Sequence, residues 1–293
     1  MSNRAESFLV GLIGDGVMPS LTPLMHEREG DRQGLRYLYR PIDLGEIDVP
    51  AAAVGELLTA AFRLGFNGLN ITHPCKQLVL DHLDEVSPDA RKLGAVNTVV
   101  IRDGRLIGHN TDCSGFGAAL SSGLPDAKLS RVVQLGAGGA GSAVAYALLM
   151  AGAQTLDLVD MDTARCAERA VELSALFPDR TITARTTAEL PRLMLLADGL
   201  VHCTPTGMAA HPGTPLEPSL LESRHWVADI VYRPIETELV REAKAKGCDV
   251  LDGGRMAVGQ AADSFRIFTG LEADAERMRA HFLELVAAEG VTV

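Results

Sequence analysis

Three glycines, Gly136, Gly138 and Gly141, stand in G-x-G-x-x-G order within VVQLGAGGAGSAVAYAL, after one apolar run and before another. Each glycine in this spacing has its own physical task, so the pattern constrains the fold strongly. The first permits a tight turn out of a strand, the second lets backbone approach a pyrophosphate, and the third lets the helix pack on the strand. The pyrophosphate then meets unpaired N–H groups at the helix N-terminus. Gly136, Ala137, Gly138, Gly139, Ala140 and Gly141 are therefore the candidate cradle of a dinucleotide. A second strand, TLDLVD, ends in Asp160 about 20 residues further on, where an acid can bind ribose hydroxyls and repel a 2′-phosphate. Asp162 reads as the N-cap of the next helix. Arg165 could pair with a 2′-phosphate or stack on adenine. The acid at the strand end outweighs the arginine, so NAD is expected and NADP is the lesser alternative.

The loop opens a series of alternating strands and helices: RVVQLG, GAGSAVAYALLMAG, TLDLVD, TARCAERAVELSALF, RTITAR, TAELPRLMLLA, DGLVHCT, HWVADIVY and CDVLD. Ahead of it lies another alternating series. SFLVGLIG, LRYLYRPIDL and GLNIT read as strands, with helices over TPLMHEREG and AAAVGELLTAAFRLG and from Pro74 to about Leu83. AVNTVVIRDGRLIGHNTD reads as a hairpin turning at Asp103-Gly104. Strand–helix alternation implies a mostly parallel sheet covered on both faces. The 293 residues suggest about two domains. We expect an α/β substrate domain over residues 1–112, completed by two amphipathic helices in 254–293, and a Rossmann-type domain over residues 113–253. The active site is expected between them.

The net charge of −11 argues against a nucleic-acid scaffold, which needs a basic face. The five cysteines are scattered with no CxxC pair, so neither a metal site nor a disulfide framework is expected, and a reducing cytoplasm is the simplest compartment. FLVGLIGDG is too short and too soon interrupted by Asp15 for a signal peptide, and AVAYALLMAGA is too short to span a bilayer. One position resists a purely structural account. In GLNITHPCKQ, Lys76 stands in the first turn of a helix, where the macrodipole disfavours a cation.

The blocks PSLTPLMH, GLNITHPCK, GAVNTVV, GHNTDCSGF, GAGGAGSA, CTPTGM, DIVYRPIETEL and GGRMAVGQAADSF, in this order, resemble the shikimate/quinate dehydrogenase family over nearly the whole chain. The resemblance implies oxidation or formation of a secondary alcohol on a carboxylated ring, with Lys76 and Asp112 acting as a catalytic pair. A lysine at the start of that helix then has a task, because the ring hydroxyl must lose its proton as hydride departs. The resemblance further implies that Ser20 and Thr22 hold the substrate carboxylate. Thr72, Asn97 and Gln260 would bind ring hydroxyls, with Tyr232 close to the substrate. Beyond the glycine loop and Asp160, Asp162 and Arg165, it extends cofactor contacts to Thr204, Pro205, Val231, Gly254 and Met256.

The chain departs from the family pattern at three positions. Relatives commonly carry Asn where His202 stands, and His202 reads as a packed histidine rather than a catalytic one. NADP-dependent biosynthetic relatives usually show Asn-Arg-Thr at the second strand end, against Asp160-Met161-Asp162-Thr163 here. Strictly shikimate-specific relatives usually carry serine at the position of Thr22. The last two departures make an NAD-dependent quinate/shikimate dehydrogenase the leading expectation, ahead of an NADP-dependent shikimate dehydrogenase. An aminoshikimate-type dehydrogenase is a third reading. A dinucleotide sensor without turnover is a fourth, against which intact Lys76 and Asp112 argue. Shikimate and quinate are the expected ligands, with no membrane partner, and a homodimer is compatible with the sequence.

Overall fold

The structure, a computed structural model, describes residues 7–291. The chain divides into two compact units: the first runs to Thr111 and resumes at Gln260, and the second spans Asp112–Gly259. The sequence reading put these boundaries at 112/113 and 253/254. The later boundary moves because Gly253 begins one continuous helix, whose first turns pack within the second unit. A Cβ on Gly259 would lie 2.8 Å from the Gly115 carbonyl oxygen.

In the first unit β1 (Ser7–Gly14), α1 (Thr22–Arg32), β2 (Arg36–Asp43), α2 (Val54–Leu64) and β3 (Gly68–Ile71) follow one another. They lead into α3 (Cys75–Leu78), β4 (Glu85–Val86), α4 (Pro88–Leu93), β5 (Thr98–Arg102) and β6 (Arg105–His109). The sheet order is β2-β1-β3-β5-β6-β4, parallel through β2, β1 and β3 and antiparallel at β3/β5 and β5/β6. Asp103 and Gly104 both have positive φ, as a two-residue type I′ hairpin turn requires. One face of the sheet buries Ile13, Leu58, Leu69 and Val99. The other buries Val10, Tyr37, Tyr39, Phe265 and Phe268.

The helix expected from Pro74 to Leu83 is a four-residue α3 with Pro74 as its N-cap, running into a 3-10 turn at Val79–His82. One α-turn aligns few peptide dipoles, so the macrodipole opposes Lys76 only weakly. Two short elements escaped the pattern reading, β4 and α4. The signals of α4 are present nonetheless: Ser87 accepts the Ala90 N–H as N-cap, proline follows, and Gly94 ends the helix in the left-handed region.

The second unit contains α5 (Thr111–Gly123), β7 (Arg131–Leu135), α6 (Gly139–Met150), β8 (Thr155–Val159), α7 (Thr163–Leu176), β9 (Thr181–Arg185) and α8 (Leu190–Leu196). β10 (Gly199–His202), β11 (Trp226–Asp229), α9 (Glu238–Ala245) and β12 (Asp249–Leu251) complete it, and α10 (Gly253–Thr269) and α11 (Ala275–Val291) follow. Its six strands run β12-β11-β10-β7-β8-β9, all parallel, which is the doubly wound order with its switch point between β7 and β10. Such strands are buried on both faces, hence near-continuous apolar runs such as GLVH in β10. α6 is buried along residues 141–149, which accounts for the apolar AVAYALL. Among the described residues no helix is long and apolar enough to cross a membrane. Among them no cluster of His, Cys, Asp or Glu is arranged to hold a metal ion.

Candidate active site

In the second unit the chain leaves β7 at Gly136, whose φ of 98° suits glycine. A Cβ there would lie 2.6 Å from the Cys203 carbonyl oxygen, and one on Gly141 would lie 2.3 Å from the Gly136 carbonyl oxygen. Both glycines are therefore demanded by close packing. At Gly138 and Gly139 a Cβ would meet nothing within 4 Å, so open space lies over the start of α6. Gly138 is the N-cap of α6 and supplies no side-chain cap. A twelve-residue helix thus presents uncapped N–H groups to that space, which fits a pyrophosphate. Ala137 and Ala140 complete the loop. Gln134, buried in β7, donates from Nε2 to the carbonyls of Gly136 and Gly141 at 2.8 Å each and ties the two ends of the loop together. The polar residue inside VVQL was the signal for it.

Asp160 follows β8 and is buried. Its Oδ2 accepts the Ala137 N–H at 2.7 Å, and its Oδ1 accepts from the Asp162 N–H at 2.9 Å and from Arg165 at 2.7 Å. Burial alone would raise its pKa. The two backbone N–H groups and the guanidinium outweigh burial and hold the carboxyl below the usual range. Asp162 caps α7, accepting the Arg165 N–H at 3.0 Å, and its carboxylate also lies 3.3 Å from Arg165 Nη1. Arg165, with its side chain about half exposed, already faces two carboxylates. Thr204 and Pro205 leave β10 beside the glycine turn, with Thr204 Cγ2 3.0 Å from the Cβ position of Gly136. Val231 is anchored by its N–H to Asp229 Oδ1 at 3.0 Å. Gly253 packs so closely on the Val231 carbonyl that a Cβ would lie 2.4 Å from it. Gly254 and Met256 follow in the buried first turns of α10, and Tyr232 is half-buried after β11. Asp112, in the first turn of α5, is 5% exposed.

In the first unit the loop after β1 is organised by Asp43, at the end of β2. Its carboxylate accepts the N–H groups of Gly16, Val17, Met18 and Gly45. Those bonds outweigh burial and depress its pKa. Sequence reasoning missed this residue, because three of these four partners are more than twenty positions away. The loop delivers Ser20, whose Oγ accepts the Thr22 N–H at 3.3 Å, and Thr22 at the start of α1; both are half-buried. Thr72 lies next to the same loop: a Cβ on Gly14 would be 2.2 Å from Thr72 Cγ2. Lys76, half-buried in α3, accepts the Val96 N–H on its carbonyl at 2.9 Å, tying it to the segment that carries Asn97. Asn97 is buried, and its Oδ1 accepts from the Thr98 hydroxyl, the Thr111 N–H and the Thr111 hydroxyl at 2.9, 2.8 and 3.2 Å. With that oxygen saturated, Nδ2 is the atom Asn97 has to offer a ligand. Gln260 is half-buried in α10. Ser20, Thr22, Thr72, Lys76, Asn97 and Gln260 thus lie in the first unit, and the uncapped α6, Asp160 and Tyr232 in the second, together with Asp112, Gly254 and Met256, which the sequence reading put in the first.

Known proteins match the chain along its length. The family model of the shikimate dehydrogenase substrate binding domain matches residues 12–99, and that of the shikimate 5'-dehydrogenase C-terminal domain matches residues 254–281. The chain is 83% identical over 292 residues to a shikimate dehydrogenase (NADP(+)) of Arthrobacter sp. (strain FB24), covering 100% of both. It is 52% identical over 281 residues to a quinate/shikimate dehydrogenase (NAD(+)) of Corynebacterium efficiens, covering 96% of this chain and 99% of the other. Among solved structures, quinate dehydrogenase from Corynebacterium glutamicum in complex with NAD superposes with a TM-score of 0.90 at 52% identity, covering 95% and 99%. With this identity along the whole length, the chain belongs to the shikimate dehydrogenase family of nicotinamide-dinucleotide oxidoreductases.

Proposed function

We propose that the chain interconverts shikimate and its 3-dehydro ketone, with hydride passing to or from NADP. The observation that carries this reading is the 83% identity, over the full length, to a protein named shikimate dehydrogenase (NADP(+)). The NAD-dependent quinate/shikimate reading, first on sequence alone, takes second place because proteins of that name match at 52%. In the proposed reaction Ser20 and Thr22 hold the carboxylate with neutral hydroxyls. Thr72, Tyr232, Gln260 and the Nδ2 of Asn97 bind the ring. Lys76 and Asp112 handle the proton that the ring hydroxyl gives up as hydride leaves. The dinucleotide supplies the hydride acceptor. The glycine loop and α6 hold its pyrophosphate and Asp160, Asp162 and Arg165 its adenosine end, with Thr204, Pro205, Val231, Gly254 and Met256 on the remainder.

The second reading has a specific observation behind it. Asp160 is a buried carboxyl held below the usual range at the end of β8, the strand end that meets the adenosine ribose in a doubly wound fold, and its neighbour Arg165 is already engaged by two acids. That arrangement favours a free 2′-hydroxyl and hence NAD. Initial rates for shikimate and quinate, each with NAD and NADP, separate the two. We expect kcat/KM to be highest for shikimate with NADP, and a wild-type preference for NAD with ready quinate oxidation would promote the second reading. In the same assay Asp160→Asn keeps an acceptor for the Ala137 N–H and removes the charge. A charged hydrogen bond is worth about 1.5–3 kcal/mol, so the NADP-to-NAD ratio should rise roughly 10- to 100-fold. No turnover of shikimate with either dinucleotide would overturn both readings.

A further inference from the structure

His202 is built into the carboxyl edge of the second sheet in a way that simple packing does not require. It pairs in register with Asp229 on β11 and with Leu135 on β7, and both His202 and Asp229 are buried. Its Nδ1 lies 2.9 Å from Asp229 Oδ1, and its Nε2 lies 2.5 Å from Thr204 Oγ1. Asp229 accepts from two more groups: Oδ1 also takes the Val231 N–H, and Oδ2 takes the Thr237 hydroxyl at 2.6 Å. A carboxylate oxygen accepts, so Nδ1 donates to Asp229, while Nε2 faces Thr204 Oγ1. Thr206 closes the turn, its N–H donating to Thr204 Oγ1 at 3.4 Å and its hydroxyl oxygen 3.2 Å from the same atom.

This relay ends on the segment that packs against the glycine loop. The Cys203 carbonyl and Thr204 Cγ2 are what a Cβ on Gly136 would meet, at 2.6 and 3.0 Å, and the Cys203 N–H donates to the Leu135 carbonyl at 2.7 Å. A dinucleotide lies across the switch point with its adenosine on the β8 side, so its nicotinamide half falls on the β10 side. We propose that His202 is a positioning residue. Anchored by Asp229, it sets the place of Thr204 and the Cys203–Thr206 turn, and through them the seat of the nicotinamide half. The proposal rests on the dinucleotide reading of the glycine loop. A side chain that only filled the strand end would need one partner; the imidazole spans two, and the second lies outside the sheet.

The test compares His202→Asn, His202→Gln and Thr204→Val with wild type, by initial rates with shikimate and by titration of NADPH and NADH fluorescence. Asparagine places its amide near the Nδ1 position and can keep Asp229 but not reach Thr204. Glutamine places its amide near Nε2 and can reach Thr204. We expect His202→Asn to raise the dinucleotide KM and lower kcat, about 10-fold in kcat/KM, while the shikimate KM stays within about twofold. Glutamine should recover most of that loss, and Thr204→Val should reproduce the asparagine variant. Thr204 lies in a half-buried turn, so its variant keeps the test standing if a His202 variant does not fold. Wild-type kinetics in His202→Asn, or in Thr204→Val, would overturn the proposal. So would a glutamine variant worse than the asparagine one, since Asp229 would then be the partner that matters. A wild-type protein that leaves NADPH and NADH fluorescence unchanged would instead remove the dinucleotide reading itself.

Discussion

Asn97 spends its side-chain oxygen on three donors from Thr98 and Thr111, which leaves the amide as its means of recognising a ligand. Its neighbour in the backbone network, Lys76, is held by its carbonyl to Val96, so its side chain can be changed without breaking that bond. Lys76→Met keeps most of the aliphatic stem and removes the amine. A general acid–base group contributes about 10²–10⁴-fold, so kcat should fall by that order while dinucleotide binding, read by nicotinamide fluorescence, stays at its wild-type value. A variant that keeps more than about a third of wild-type kcat would refute the role proposed for Lys76. Residues such as Lys76 and Asn97 were legible because they sit in short contiguous patterns. Asp43 and the His202–Asp229 pair were not. Their partners lie about 25 residues away on another strand or loop, and single-sequence spacing carries no signal for that pairing.

At the scale of elements, periodicity and turn chemistry identified the long strands and helices, and failed where an element was too short for a period to establish itself. β4 has two residues and α3 has four. Buried polar residues are harder to read, and His26 in α1 is the clearest instance. It is fully buried, its Nδ1 lies 2.9 Å from the Tyr37 hydroxyl, and its ring packs 5.0 Å from Tyr39 and 5.9 Å from Phe265. It therefore joins α1 to β2 and α10. Burial pushes its pKa down from 6.5 to about 3. In the unfolded chain the ring titrates near 6.5, so between that value and about 3 the unfolded state binds more protons. This contribution to stability is full above pH 6.5 and is lost as pH falls through the window, at roughly 1.4 kcal/mol per pH unit. Urea unfolding of wild type and His26→Asn at about pH 5 and about pH 7 isolates the effect from other titrating groups. The wild-type stability should fall more steeply by that amount. Equal falls in the two proteins would show that His26 is not the linked group.

At the scale of the whole molecule, the alternation of strands and helices announced two α/β units. The exact crossing points were hidden, because α10 runs without a break from one unit into the other and offers no composition change at Gly259. Each unit has its own six-stranded sheet. The core around Val133, Leu200 and Val227 lies wholly in the second unit, and the cores around Ile13 and Val10 lie wholly in the first. A ligand that binds only the native second unit should therefore stabilise that unit selectively, since two-state behaviour is not guaranteed for a chain of two units. Trp226 reports on this directly. It is the single tryptophan, it lies in β11 at 4% exposure, and its Nε1 donates to the Lys128 carbonyl at 2.8 Å. Far-UV circular dichroism reports on both units. At about 100 times its Kd a dinucleotide adds about 2.7 kcal/mol to the state that binds it. In urea titrations with and without NADP(+), the tryptophan transition should move to higher denaturant. The dichroism curve should at the same time broaden into two steps, the lower one unmoved and belonging to the unit that carries Tyr37 and Tyr39. Coincident transitions in both probes at every ligand concentration would show instead that the two units unfold as one.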